Sequence, residues 1–158
     1  MVKIRRIIYI ILHHHSTPHD IAIGFASGIF AAFIPAFGLQ MVLAILISML
    51  FKDSNKLAAA LATWITNPLT GIPFMLLQFW LGSLFYQDKA TIDDFSQIIN
   101  SFSESFSFTK LLDLGADVII PFAIGTMILS SFGSIFSYFL AKKGIEKWRL
   151  RKGITQDK

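Results

Sequence analysis

The sequence predicts an all-α integral membrane protein: two Pro/Gly-broken helical hairpins (re-entrant or discontinuous), a C-terminal transmembrane helix and amphipathic surface helices. Three observations predict it. The 158 residues are 54% hydrophobic and 15% charged, with a mean hydropathy of +0.61, whereas a soluble domain carries about 25% charged residues. Two runs of 31 residues, Ile21–Phe51 and Leu57–Gln87, and a third of 24, Val118–Ala141, contain no Lys, Arg, Asp, Glu or His; uncharged apolar runs of about 18 or more are membrane-span candidates. Both longer runs are interrupted near their middles by Pro and Gly. A soluble helical bundle would have too few charged residues to cover this much apolar surface.

The chain reads as one membrane domain over 1–158. Residues 1–17 are a basic amphipathic helix on the membrane surface. Lys3, Arg5 and Arg6 look like the start of a signal peptide, but the apolar stretch Ile7–Leu12 stops at His13-His14-His15, too soon for a cleavable leader. Thr17-Pro18-His19-Asp20 reads as a helix start, with Thr17 as cap and Pro18 in the first turn.

Residues 18–87 hold the two broken units. A helix of 31 residues would be about 46 Å long against a hydrocarbon core of about 30 Å. That is long for one span and short for two. The first break is Ile34-Pro35-Ala36-Phe37-Gly38-Leu39-Gln40 and the second Thr66-Asn67-Pro68-Leu69-Thr70-Gly71-Ile72-Pro73. Pro35, Pro68 and Pro73 remove backbone donors, and Gly38 and Gly71 allow backbone that a helix cannot hold. The flanking pieces, Ile21–Ile34, Leu39–Phe51, Leu57–Thr66 and Phe74–Gln87, would each be roughly 15–21 Å as helix, too short to cross alone. Pro35 and Pro68 lie 33 residues apart, a spacing consistent with a divergent internal repeat. Kinked, tilted single spans are the alternative. The short connector Lys52–Lys56 favours a cytoplasmic position, which makes the first run the re-entrant one.

Residues 88–117 carry six of the ten acidic residues and are expected outside. Their apolar positions Ile92, Phe95, Ile98, Ile99, Phe102 and Phe106 recur at helical spacing, as on a surface helix or lid. Residues 118–141 form the transmembrane helix. Gly125, Ser130, Ser131, Gly133, Ser134 and Ser137 give it small-residue faces, suited to docking the broken units or a second copy, so a homo-oligomer is expected. Residues 142–158 form a basic tail with Lys142, Lys143, Lys147, Arg149, Arg151 and Lys152. Such clusters mark the cytoplasmic side and attract anionic lipid, so both termini are expected in the cytoplasm of a multi-pass cell-membrane protein. Their position accounts for the net charge of +4 without nucleic acid as a partner.

Within this frame, Gly24 and Gly28 of "GFASG", the P-x-x-G-x-Q of Pro35, Gly38 and Gln40, Asn55, the "NPLT" of Asn67–Thr70, and Gly82 fall in order over residues 18–86. In these features the chain resembles the bacterial membrane family known as domain-of-unknown-function family 2062. The resemblance implies an integral membrane protein and supplies no established activity. Some members carry this region beside a glycosyltransferase domain, which points toward envelope or lipid-linked sugar biology.

Gln40, Thr66, Asn67 and Thr70 are the polar groups at the breaks, with Thr63 nearby. Uncovered polar groups in hydrocarbon are costly, so these either line a substrate site or satisfy the backbone that the breaks set free. No charge lies within the first two runs, which argues against a carboxylate proton relay and leaves lipid head groups, neutral solutes or a carbonyl-lined sodium site. Asp113 and Asp117, four apart, fit helix-dipole partners better than a cation site. The His13–His15 run with His19 lacks the geometry of a metal shell, and the absence of Cys excludes disulfides and Cys-ligated metals. With no metal, cofactor or enzyme signature, the expectation is a transporter-like or lipid-handling protein in contact with membrane lipids. A non-transporting scaffold or assembly factor is the alternative.

Overall fold

The computed structural model describes residues 16–36, 38–86 and 116–152. They form five α-helices: α1 (Pro18–Phe33), α2 (Gln40–Met49), α3 (Lys56–Ala62, followed by a 3-10 turn at Thr63–Ile65), α4 (Pro68–Ser83) and α5 (Ala116–Lys152). The expected N-terminal surface helix, the acidic helix between Ile92 and Phe106, and the His13–His15 run lie outside the described residues. The chain divides into two compact units. One holds residues up to Ile65 together with Phe132 onward; the other runs from Thr66 to Ser131. The single helix α5 contributes to both.

In the first unit α1 starts as its sequence requires. Thr17 caps it: the Asp20 amide donates to Thr17 Oγ1 at 3.2 Å, and the Thr17 amide donates to Asp20 Oδ2 at 2.7 Å. This reciprocal box satisfies two donors that a helix start would leave unpaired. The helix ends at Ile34 in extended conformation, one residue before Pro35, because a residue preceding proline is driven out of the helical region. Gly38 then takes φ +82°, the one positive φ among the described residues, and the chain reverses into α2.

The first run doubles back on itself. Asn55 Nδ2, just beyond α2, donates to Ser16 Oγ at 3.2 Å, just before α1, and the Asn55 amide donates to the Asp20 carbonyl at 3.0 Å. An unbroken helix over the 31 residues would hold these ends about 46 Å apart. Ala31, Ala44 and Ala59 meet where α1, α2 and α3 pack, with Leu43 and Ile47 around them. Small side chains bring the backbones close, and glycine brings them closer still. A Cβ at Gly24 would collide with the Asn55 carbonyl, and one at Gly28 with the Ala59 carbonyl. Gly24 and Gly28 are one turn apart, the small-xxx-small spacing that lets helices touch along their backbones.

The C-terminal half of α5 closes this unit. Ile145 packs beside Ile21 and Ala58, Gly133 lies against Phe33 and Ile29, and Arg149 Nη2 donates to the Ser16 carbonyl at 2.8 Å.

In the second unit α4 packs on the N-terminal half of α5. Phe79 and Val118 are buried together, flanked by Met75, Leu76 and Phe122. Two glycines bring the helices into contact. A Cβ at Gly82 would strike the Pro121 carbonyl and one at Gly125 the Gln78 carbonyl. Each helix thus offers a glycine to the other's backbone, four residues from the backbone it receives.

Two boundaries differ from expectation. The second break was expected to last until Pro73, with the helix resuming at Phe74. Instead α4 starts at Pro68, and Gly71 and Pro73 lie inside it. Proline at a helix start loses no hydrogen bond, and Pro73, in the second turn, removes only one. The C-terminal helix was expected to end near Ala141, but α5 continues to Lys152. Lys, Arg and Glu are good helix formers, and cations in a last turn complement the macrodipole.

Among the described residues one helix, α5, is long and apolar enough to cross a membrane, and the bent pair Lys56–Ile65 with Thr70–Ser83 passes that test only when taken together. Both α1 and α2 are shorter apolar helices.

Candidate functional site

Of the residues singled out at the breaks, Pro35 and Gly38 lie between α1 and α2, Thr66 and Asn67 just before α4, and Gln40, Pro68, Thr70, Gly71 and Pro73 within the helices that follow. Gln40 opens α2 and reaches back across the first break. Its Nε2 donates to the Ala32 carbonyl at 3.2 Å and the Ile34 carbonyl at 3.3 Å. A helix end leaves its last carbonyls without intrahelical partners, and the glutamine side chain supplies donors to two of them. Pro35 and Gly38 are exposed at the turn. A Cβ at Gly38 would meet nothing within 4 Å, so this glycine is needed for its backbone conformation, not for space.

At the second break Asn67 and Thr70 come together. The Thr70 amide donates to Asn67 Oδ1 and the Asn67 amide to Thr70 Oγ1, each at 3.0 Å. This is a reciprocal cap on α4, matching the one that Thr17 and Asp20 build on α1. The Gly71 amide continues the pattern, donating to the Asn67 carbonyl at 2.7 Å. Thr66 is partly exposed at the bend before the cap. Thr63 is buried and donates to the Ala60 carbonyl at 2.7 Å. Gln40 belongs to the first unit, and Thr66, Asn67 and Thr70 to the second. Gly71 is helical, with open space where a Cβ would stand.

Chemically, the breaks offer hydroxyls, amides and backbone carbonyls in an uncharged setting. Such groups can bind neutral polar molecules or dehydrated cations. They offer no proton-transfer group. Among the described residues no group of three or more His, Asp or Glu lies close enough to hold a metal ion.

The contacts of three residues escaped the sequence reading, which had Asn55 only as a mark of the family resemblance and Arg149 only as part of the basic tail. Asn55 joins three segments: its Oδ1 accepts from the Ala58 amide at 2.9 Å to cap α3, its Nδ2 binds Ser16, and its amide binds Asp20. Arg149 is buried within a tail that otherwise looks solvated. Gln78 is buried in α4 at 2% exposure, amid a run that reads as uniformly apolar. The signal for Asn55 was present, since Asn just before "KLAAALA" is a strong cap. No local pattern marks Arg149 or Gln78.

Fold and site together define a small all-helical protein with, among the described residues, one span-length apolar helix and two breaks between shorter apolar helices. The chain belongs to the DUF2062 family, described as an uncharacterized protein conserved in bacteria, whose model matches residues 3–153. The match extends well beyond the stretch 18–86 that carries the sequence resemblance and takes in α5. No curated protein and no solved structure matches the chain.

Proposed function

We propose that the chain is a multi-pass cell-membrane protein that handles lipids or small neutral solutes at its broken-helix core. One observation carries the reading: the first uncharged run folds into a hairpin whose ends, Ser16 and Asn55, are hydrogen-bonded to each other. With 16 residues, α1 is about 24 Å long, short of a hydrocarbon core of about 30 Å. A hairpin of that reach enters a bilayer and returns to the side it came from. Breaks at such a depth are tolerated where they face protein or a water-filled cavity, and interrupted helices of this kind hold substrates in known transporter architectures. Arg149 joins Ser16 at the same end as Asn55, which supports a common cytoplasmic side for the connector Lys52–Lys56 and the basic tail. The crossings are then α5 and the bent pair, an even number.

The scaffold or assembly-factor reading has one observation in its favour. Gln40, Asn67 and Thr70 all hydrogen-bond to the backbone at their own breaks, as caps do. A binding site needs groups with spare capacity for a ligand.

The chain has no cysteine, so single cysteines separate the two readings cleanly. Leu39→Cys and Ile72→Cys, placed in intact cells, are treated with a membrane-impermeant thiol reagent, which reacts only where water admits the thiolate. Labelling of both, with flux of lipid or solute analogues across liposomes holding the full chain, is the expected outcome. Cysteines that stay unlabelled while Asp53→Cys labels, together with inert liposomes, leave the scaffold reading standing.

A further inference from the structure

We infer that the outward face of the C-terminal half of α5 is a contact for anionic phospholipid, with acyl chains along its upper part and head-group phosphates along its lower part. The face is defined by what packs behind it. Ser137 is buried, Tyr138 OH lies 2.7 Å from His19 Nδ1, Ile145 packs against Ile21 and Ala58, and Arg149 is tied to the Ser16 carbonyl. At about 100° per residue these positions share one side of the helix. The opposite side carries Phe132, Phe136, Phe139 and Leu140, which are 73%, 70%, 56% and 63% exposed. One turn further on, the same side carries Lys143, Lys147 and Arg151, all exposed.

The order along this face matches the order of a leaflet from core to surface. About two turns of aromatic and aliphatic side chains give way abruptly to cations, with no uncharged polar zone between. Residues 132–152 contain six basic residues and a single acid, Glu146, so the face keeps a strong positive field. Arg149 is the basic residue turned inward, and it serves the fold. Lys143, Lys147 and Arg151 are left to face phosphate. Nucleic acid would satisfy the charges but not the phenylalanines aligned with them. Phosphatidylglycerol satisfies both.

This inference rests on α5 lying in a membrane, though not on any transport activity, and the test separates the two. A fluorophore is attached to Phe136→Cys or Gly144→Cys in the full chain, reconstituted in mixed vesicles of phosphatidylglycerol and phosphatidylcholine. Position 144 is open, with nothing within 4 Å of an added Cβ. Quenching is read with one lipid or the other brominated. The label at 136 should be quenched by both lipids. The label at 144 should favour brominated phosphatidylglycerol, since each basic group near the surface is worth roughly a fivefold preference. Changing Lys143, Lys147 and Arg151 together to Gln should return it to random mixing, as should high salt with the wild-type face. Quenching at 136 with equal quenching by both lipids at 144 overturns the inference alone. So does a preference that survives loss of the three charges. Silence at both positions overturns the membrane reading itself.

Discussion

At Gly28 the α1 backbone lies against the Ala59 carbonyl with no room for a methyl group. Gly28→Val should therefore lower stability by about 1–3 kcal/mol, the cost of overpacking a close contact, read as a fall in the unfolding midpoint in detergent. The other glycines answer differently because their backbones do. Gly38→Ala meets open space but must hold φ +82°, so it should cost about 1 kcal/mol in strain. Gly71→Ala meets open space in ordinary helix and should be neutral or stabilising by up to about 1 kcal/mol. A midpoint lowered by Gly71→Ala would mean that the residue serves something other than helix. Asn55→Ala should be costlier than Asn67→Ala, since both remove a cap worth about 1 kcal/mol but only Asn55→Ala also removes a side-chain bond, the one from Nδ2 to Ser16 Oγ. The Thr17–Asp20 cap, Gly38 and the polar residues of the breaks were legible in the sequence because each acts within a few residues of itself. Arg149 was not, because its partner Ser16 lies 133 residues away and nothing local distinguishes it from the lysines around it.

Among the elements, the two breaks differ in kind. The first is a true reversal, fixed by Pro35 and Gly38 and sealed by Gln40. The second is a capped restart, and its prolines belong to the helix that follows. Composition could place both breaks but not tell them apart, because proline at the start of a helix and proline between helices look alike until the cap beside it is seen. The distinction predicts opposite outcomes. Pro73→Ala restores a hydrogen bond inside α4 and should raise the unfolding midpoint. Pro35→Ala should extend α1 by a residue or two at most, because Gly38 and Gln40 still set the turn. An equal gain in helical signal from both substitutions would show that the first break is held by proline alone. For α5, charge marks the end of the apolar segment at Ala141 but not the end of the helix. The helix runs on because the residues beyond are strong helix formers, so the limit of a candidate span and the limit of a helix are separate quantities.

For the whole molecule, the meeting of Ser16, Asn55 and Arg149 sets a topological expectation. Asp53→Cys and Gly144→Cys should be modified by an impermeant thiol reagent from the same side of the membrane, because the connector and the α5 tail belong to one polar end. Modification from opposite sides would sink the re-entrant reading of the first run. The all-helical class followed from the apolar runs, and the first break from Pro35 and Gly38, while the return of the first run on itself was one of two readings that its length left open. The pairing of glycine with carbonyl that holds each unit together did not follow, since a glycine's neighbour is a fact of the third dimension.

The first unit is made of two separated stretches, and everything in the second lies between them in the chain. During synthesis, α1 to α3 are therefore complete long before Tyr138, Ile145 and Arg149 exist to receive them. Until the last helix leaves the ribosome, His19 lacks Tyr138, the Ile21–Ala58 pair lacks Ile145 and the Ser16 carbonyl lacks Arg149, so the nascent hairpin waits with one side uncovered. A chain stopped at residue 131 would hold every part of the second unit and yet be unable to finish the first.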